Sequence, residues 1–303
     1  MSTTAYHTPV LADAVAVLAR GRLRAVDATV GGGGHAVLLR AAGAEVLAVD
    51  RDAEALAASR ARLGDSVSWM EGSFGSAGVI GEIVRFAPDL VLLDLGVSSR
   101  QLDADARGFS FRPGVPLDMR MSNRGANAAD LLNSAPQDEI AHIFRTYGDE
   151  RRAARLASTI VERRTRKPLT VSDDLVNAIR RALGPTAGPS VFARLFQAVR
   201  IAVNRELDEL ETALPVLRDA LTPGGKLAAI TYHSGEDRIV KHAFREWARS
   251  CICPPGQPIC TCRGAPLGTL TPRRPIFPSA DEIAANPRAR SAKLRVFERT
   301  HGS

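Results

Sequence analysis

Aromatic side chains are scarce in this sequence. They make up 5% of its 303 residues, so aliphatic side chains and alanine must supply most of the core, from a hydrophobic content of 45%. That content supports a sizeable core, and the length suits one large domain with an insertion. No apolar run approaches the roughly 18 residues that cross a bilayer, which excludes a helical membrane protein. Residues 1–20 lack a basic segment followed by a long apolar stretch, so no secretory signal is expected. Only four cysteines occur, all between Cys251 and Cys262, and none can staple distant segments. A cytoplasmic chain with reduced thiols is expected. Internal repeats and low-complexity tracts are also absent. Neither sign of charge dominates: 40 Lys and Arg face 33 Asp and Glu, leaving +7. This modest excess favours a polyanionic partner, because each neutralised phosphate releases condensed counterions, but decides nothing by itself.

What is present is a regular alternation. Residues 23–27, 45–50, 67–71 and 89–95 read as strands; 36–42, 53–63 and, less strongly for its glycines, 75–86 read as helices. The run Leu90-Val91-Leu92-Leu93 is continuous and apolar, as in strands buried on both faces. Such alternation predicts an α/β fold with a parallel sheet and right-handed crossovers. After Gly96 the rhythm breaks. Residues 101–125 are loop-like, and 127–179 read as several helices without a strand. The breaker cluster Gly184-Pro185-Thr186-Ala187-Gly188-Pro189 marks a boundary. A long amphipathic helix is then expected over 192–214, a strand over 226–232, a helix over 234–249 and a last strand over 293–299. The expected organisation is an α/β domain in two parts, 1–105 and 191–303, with an inserted, mostly helical and basic domain over 106–190.

Gly31-Gly32-Gly33-Gly34 follows the first strand and opens a helix, where a side chain would keep the backbone from a ligand. Asp50 ends the next strand, 19 residues after Gly31. A carboxylate there can accept hydrogen bonds from both ribose hydroxyls of an adenosine. This pattern serves both NAD(P) and S-adenosylmethionine. Asp27, at the end of the first strand, would repel a pyrophosphate but suits the ammonium and sulfonium of the methyl donor. A merely flexible turn, with His35 as a helix cap, is the structural alternative.

Longer motifs are more specific. They are His7-Thr8-Pro9-Val10-Leu11, Gly31 to His35, Ala48-Val49-Asp50-Arg51-Asp52, Leu92-Leu93-Asp94-Leu95-Gly96-Val97-Ser98-Ser99 and Gln101-Leu102-Asp103. Then come Arg107-Gly108-Phe109-Ser110-Phe111, Pro116-Leu117-Asp118-Met119-Arg120-Met121, Thr146-Tyr147-Gly148 and Phe196-Gln197-Ala198-Val199-Arg200-Ile201. His233-Ser234 with Glu236-Asp237-Arg238, and Asn286-Pro287-Arg288-Ala289-Arg290-Ser291, complete the series. In these motifs and their order the chain resembles the MraW-type family, the small-subunit (16S) ribosomal RNA cytosine-N4 methyltransferases. Ala28, Ala202 and Gly235 depart from the family's usual residues.

The resemblance implies a class I (Rossmann-like) S-adenosylmethionine-dependent methyltransferase sheet with an inserted helical domain. It sets Gly33, Gly34 and His35 against the methionine end of the cofactor, Asp50 on the ribose and Phe74 near the adenine, with Asp94 and Gln101 completing the pocket. It implies 16S ribosomal RNA or the small ribosomal subunit as partner, leaves a homodimer open, and gives no role to a membrane. A small-molecule methyltransferase and a non-catalytic ribosome-assembly factor are the alternatives.

Cytosine N4 is a poor nucleophile because its lone pair is delocalised into the ring. An acceptor that orients the amine in line with the methyl group helps. Asp94-Leu95-Gly96-Val97-Ser98-Ser99 stands where many DNA amino-methyltransferases carry Asp/Asn-Pro-Pro-aromatic, without prolines or an aromatic. Asp94 is the candidate catalytic residue, with a role confined to cofactor binding as the equal alternative. Asp118 and Arg120 are candidates for shaping a nucleotide pocket, although such a loop pair is more often structural. His233, Ser234 and Asp237 crowd one segment without a nucleophile elbow, which excludes a hydrolase triad.

Between Arg145 and Lys167 eight basic residues face three acidic ones. Arg163, Arg164, Arg166 and Lys167 there, with Arg120 and Arg200, are the candidate RNA contacts. Arg273, Arg274, Arg288, Arg290, Lys293 and Arg295 form a second basic stretch. Cys251-x-Cys253 and Cys260-x-Cys262 offer four thiolates in principle, but zinc sites usually use C-x2-C. Free thiols in a mobile loop are the favoured reading, and no metal is assigned.

Overall fold

The computed structural model describes residues 9–122, 124–257 and 259–300; His7 and Thr8 of the first motif lie outside them. Two compact units are present, one of residues 1–96 and 207–303 and the other of 97–206.

The first unit is an α/β sandwich. Its first half runs α1 (Ala12–Ala19), β1 (Arg24–Asp27), α2 (Gly34–Ala41), β2 (Glu45–Asp50), α3 (Ala53–Leu63), β3 (Ser68–Glu71), α4 (Ala77–Phe86) and β4 (Leu90–Asp94). The second unit follows with α5 (Ser99–Asp103), α6 (Ala128–Ser134), α7 (Gln137–Thr146), α8 (Ala153–Arg166), α9 (Ser172–Leu183) and α10 (Pro189–Asn204). The chain then returns through α11 (Glu206–Ala220), β5 (Lys226–Thr231), α12 (Ser234–Trp247), β6 (Gly268–Leu270), α13 (Ala280–Ala285) and β7 (Lys293–Arg299).

The seven strands lie in the order β3-β2-β1-β4-β5-β7-β6. β1 to β5 are parallel; β7 runs antiparallel between β5 and β6. This is the sheet expected of a class I methyltransferase. The apolar run of β4 serves both faces. Val91 and Leu93 pack with Val79 and Ile83 of α4, Leu210 and Leu214 of α11 and Phe244 of α12. Leu90 and Leu92 pack with Val15 of α1, Leu39 of α2 and Leu56 of α3. A strand covered on both sides has no polar face to alternate with, so its sequence is continuous rather than period-two.

The helical unit has its own core, centred on Leu132, Ile140, Phe144, Leu156, Ile160, Leu175 and Ile179. It is larger than the 106–190 insert expected from sequence, because Leu102 on one side and Phe192, Leu195, Phe196 and Val199 on the other pack into that core. The breaker cluster at 184–189 therefore turns the chain between α9 and α10 inside this unit. The single helix expected over 192–214 is two helices. Arg205 adopts a left-handed conformation (φ 50°) that ends α10, while the Asn204 amide donates to the Met119 carbonyl and its Oδ1 accepts the Met121 N–H. Among the described residues no helix is long and apolar enough to cross a membrane.

Candidate active site

Parallel strands direct their carboxyl ends to one edge, and ligands bind there, where the strand order reverses. In this sheet the reversal lies between β1 and β4. Asp27, Asp50 and Asp94 end β1, β2 and β4 at that edge.

Asp27 is fully buried. Its Oδ1 accepts the Thr29 N–H at 3.4 Å, and its Oδ2 has no hydrogen-bond partner among the described residues. Burial pushes this carboxyl up to about 7; His35 opposes the rise and Asp94 adds to it. His35, in the first turn of α2, is buried too, with Nε2 3.5 Å from Asp94 Oδ2. At that separation the contact is electrostatic, and neither ring nitrogen has a hydrogen-bond partner among the described residues. Burial works against the imidazolium, but Asp94 and Asp27 outweigh it and raise the His35 pKa. Orphaned polar atoms in an interior are costly and mark a place where a ligand can supply partners.

The Asp50 carboxylate accepts Gly31 N–H at 2.8 Å and Asp52 N–H at 2.9 Å. Burial raises its pKa, and those two donors restrain the rise. Each oxygen keeps a lone pair for a further donor such as a hydroxyl. The same bonds close the glycine loop over β2. A Cβ at Gly34 would stand 3.0 Å from Pro9, and one at Gly33, itself at φ +76°, 3.2 Å from Ser59 Oγ. A Cβ at Gly32 would meet nothing within 4 Å, so the loop presents bare backbone to open space there.

Asp94 is held from two sides. The Thr29 hydroxyl accepts its N–H at 2.7 Å, and the Tyr232 hydroxyl donates to its Oδ1 at 2.8 Å. Burial, then Asp94, raises the Tyr232 pKa, so the phenol stays a neutral donor. A capping box aims Tyr232. His233 Nδ1 accepts the Gly235 and Glu236 N–H groups, and Glu236 Oε2 accepts the Tyr232 N–H at 2.8 Å and the His233 N–H. Asp237 then pairs with Lys293 and Arg295 of β7. The His-Ser-x-Glu-Asp-Arg motif is thus a helix start that seats the residue before it. Thr29 and Tyr232 were not singled out from sequence. Their only signal is position, immediately beyond the carboxyl ends of buried strands. Beside Tyr232 opens a cavity of about 210 Å³ lined by His233, Ser234, Phe277, Arg290 and Lys293 among others. Phe277 is 59% exposed.

Phe74 follows β3, half-buried against the sheet core. Glu209 of α11 fastens its loop, accepting Gly75 N–H at 3.1 Å and pairing with Arg51, which donates to Ser73 Oγ. Gln101 lies in the helical unit, on α5, where its Oε1 accepts the Ser98 N–H at 2.9 Å.

The candidate RNA-binding arginines divide sharply. Arg120 forks onto Asp118 at 2.9 and 2.7 Å and donates to the Gly125 carbonyl. The pair holds Asp118 below the ordinary carboxyl range despite partial burial. Their loop closes over Gly108, whose Cβ would stand 2.5 Å from the Pro116 carbonyl. Arg163 pairs with buried Asp174, and Arg164 donates to the Leu132 and Ala135 carbonyls at the end of α6. Arg200 forks onto Glu206 with both bonds at 2.9 Å, the side chains 12% and 9% exposed. Arg166 and Lys167 are exposed, as are Arg151 and Arg155. The four cysteines come together in the loop after α12 and form no disulfide.

Three acids on one sheet edge, one of them fully buried, a bare-backbone turn and a buried histidine whose ring nitrogens find no hydrogen-bond partner among the described residues fit a ligand that brings positive charge and hydroxyl donors. S-adenosylmethionine has both, and a dinucleotide pyrophosphate would meet repulsion. The comparisons agree. The chain is 50% identical over 301 residues to "Ribosomal RNA small subunit methyltransferase H" of Gemmatimonas aurantiaca, covering 97% of this chain and 96% of that one. It is 47% identical over 308 residues to the protein of the same name from Heliobacterium modesticaldum, covering 97% and 98%. The profile of the MraW methylase family matches residues 4–300. With the sheet order, the acids at its carboxyl edge and a match over nearly its whole length, the chain belongs to the MraW methylase family.

Proposed function

We propose that this protein methylates the N4 amine of a cytidine in 16S ribosomal RNA, in the cytoplasm, with S-adenosylmethionine as methyl donor. The observation that carries the reading is the position of Asp94 at the end of β4, its carboxylate oriented by Tyr232 and close to His35. The bound donor supplies an electrophilic methyl group on a sulfonium. Asp50 would take the ribose hydroxyls, and the bare backbone at Gly32 would let the methionine end approach the turn at Gly33 and Gly34 while Asp27 faces its positive charge. Phe74 would border the adenine.

For the nucleophile, Asp94 has the decisive task. With Oδ1 committed to Tyr232, its free lone pairs accept from the cytosine amine and hold the nitrogen in line. As the N–C bond forms, the bond from the methyl group to the donor's sulfur would break and leave a neutral thioether. The amine becomes acidic only then, so a weak acceptor such as Asp94 suffices for its proton, and most of the rate comes from positioning and desolvation. RNA backbone is held by the exposed cations Arg151, Arg155, Arg166 and Lys167 of the helical unit. Exposed Phe277, beside Arg290, offers a stacking surface for an unpaired base.

The test combines methyl transfer to 16S RNA and to small subunits, nucleoside mass spectrometry for N4-methylcytidine, and direct cofactor binding. Asp94→Asn should lose methyl transfer and keep cofactor affinity. Equal loss of both would restrict Asp94 to the cofactor. A wild-type protein that binds the donor but methylates no RNA would favour an assembly factor, and methylation of small amines alone would favour a small-molecule enzyme.

A further inference from the structure

Residues 249–267 join α12 to β6, and the described residues among them form no helix or strand. A stretch of this length inside a compact unit needs something to hold it. Packing supplies little: Ile252 and Ile259 are 44% and 75% exposed. Among the described residues its base is tied down where the Arg263 guanidinium donates to the Arg249 carbonyl and Leu267 N–H to the Trp247 carbonyl.

All four cysteines of the chain lie in this loop. Cys260 Sγ is 3.4 Å from Cys262 Sγ, 3.8 Å from Cys251 Sγ and 3.9 Å from Cys253 Sγ. All four sulfurs fall within 4.8 Å of one another. Disulfides would require S–S bonds of about 2.05 Å and would divide the four into two pairs. Tetrahedral zinc with bonds of about 2.3 Å sets its sulfurs roughly 3.8 Å apart. The separations around Cys260 bracket that edge length. In addition, the Ile252 N–H points to Cys262 Sγ at 3.3 Å, the kind of backbone donor that supports a metal-bound thiolate.

We propose that Cys251, Cys253, Cys260 and Cys262 bind one zinc ion as a structural site that pins this loop to the end of α12. The one-residue spacing within each Cys-x-Cys pair departs from the common C-x2-C, yet the four sulfurs lie within 4.8 Å of one another. Four thiolates fill the coordination shell and leave no position for water or substrate, so the ion holds structure and performs no chemistry. Its binding releases the thiol protons and adds free energy to folding of the loop. Soft, tetrahedral ligands of this kind select zinc or iron, and sulfur-only coordination disfavours magnesium and calcium.

The test uses the full chain, purified reduced and without a metal-binding tag from zinc-supplemented cells. Elemental mass spectrometry should find one zinc per chain, retained through dialysis. Exchange with cobalt(II) should give the visible d–d bands and thiolate charge-transfer bands of a tetrahedral sulfur site. Cys260→Ser should lose the metal and those bands while cofactor affinity is unchanged, and stripping zinc from wild type should speed proteolysis between residues 249 and 267. Wild-type protein with only trace metal, with freely titrating thiols, with disulfides on non-reducing analysis, or with iron in place of zinc would overturn the proposal. The metal analysis needs no variant and no enzymatic activity.

Discussion

The Tyr232 hydroxyl donates to Asp94 Oδ1 at 2.8 Å, joining the carboxyl ends of adjacent parallel strands β5 and β4. The bond engages Oδ1 and leaves Oδ2 3.5 Å from His35 Nε2. Tyr232 is thus a positioning residue for the acid on which the proposed chemistry rests.

Tyr232→Phe should lower kcat roughly 10- to 100-fold, the range expected for one hydrogen bond to a charged acceptor. KM for the cofactor should hardly change. A proportional loss of cofactor affinity, measured by calorimetry, would place the bond in the cofactor's service instead.

Asp50→Ala should weaken cofactor binding by about two orders of magnitude, since two ribose bonds to a charged acceptor are lost. The glycine loop also loses the anchor at Gly31 N–H. Unchanged affinity would remove Asp50 from the cofactor site.

The Asp27 carboxyl sits at about 7 in the folded chain against 3.8 for the free group. Its folded-state pKa is raised, so between those values the native chain binds more protons than the unfolded one. Stability of the cofactor-free protein should therefore fall as pH rises from about 4 to 7, by up to a few kcal/mol. Asp27→Asn should flatten the fall, read as Tm against pH. An identical pH profile in the variant would refute the assignment.

Arginines with internal partners and exposed arginines should respond differently. Arg151→Glu with Arg155→Glu should weaken RNA binding and reduce the salt slope by about 0.7 to 0.9 per lost phosphate contact. Arg200→Met leaves Glu206 unpaired in a mostly buried site and should cost roughly 3–5 kcal/mol of stability. Arg163→Glu and Arg164→Glu should likewise destabilise the helical unit before they alter the salt slope. A salt slope flattened only by the Arg163 and Arg164 variants would reverse this division.

Phe277→Ala removes an exposed ring and should leave Tm unchanged while weakening RNA binding by roughly 1–3 kcal/mol, the worth of one stacked base. Unchanged KM for RNA would exclude stacking there.

Much of the fold was legible because it is written in local patterns. Strand β7 was expected over the residues it occupies, and α3 likewise, since alternation and helix-forming composition act over a few residues. The break at Arg205 was not legible. It depends on Asn204 reaching the Met119 and Met121 backbone, 85 and 83 residues away. Nor could charge counts separate Arg163, turned onto Asp174, from exposed Arg166.

The sequence by itself determined the alternating α/β frame, the glycine turn and the acids closing three strands, because each is a run of neighbours with its own geometric preference. Only the tertiary structure decided that Tyr232 would hold Asp94, and that Arg163 and Arg164 would be consumed by Asp174 and the end of α6. Those are pairings between segments that the chain brings together only when both faces of the sheet and the helical core are buried, and no local preference encodes them.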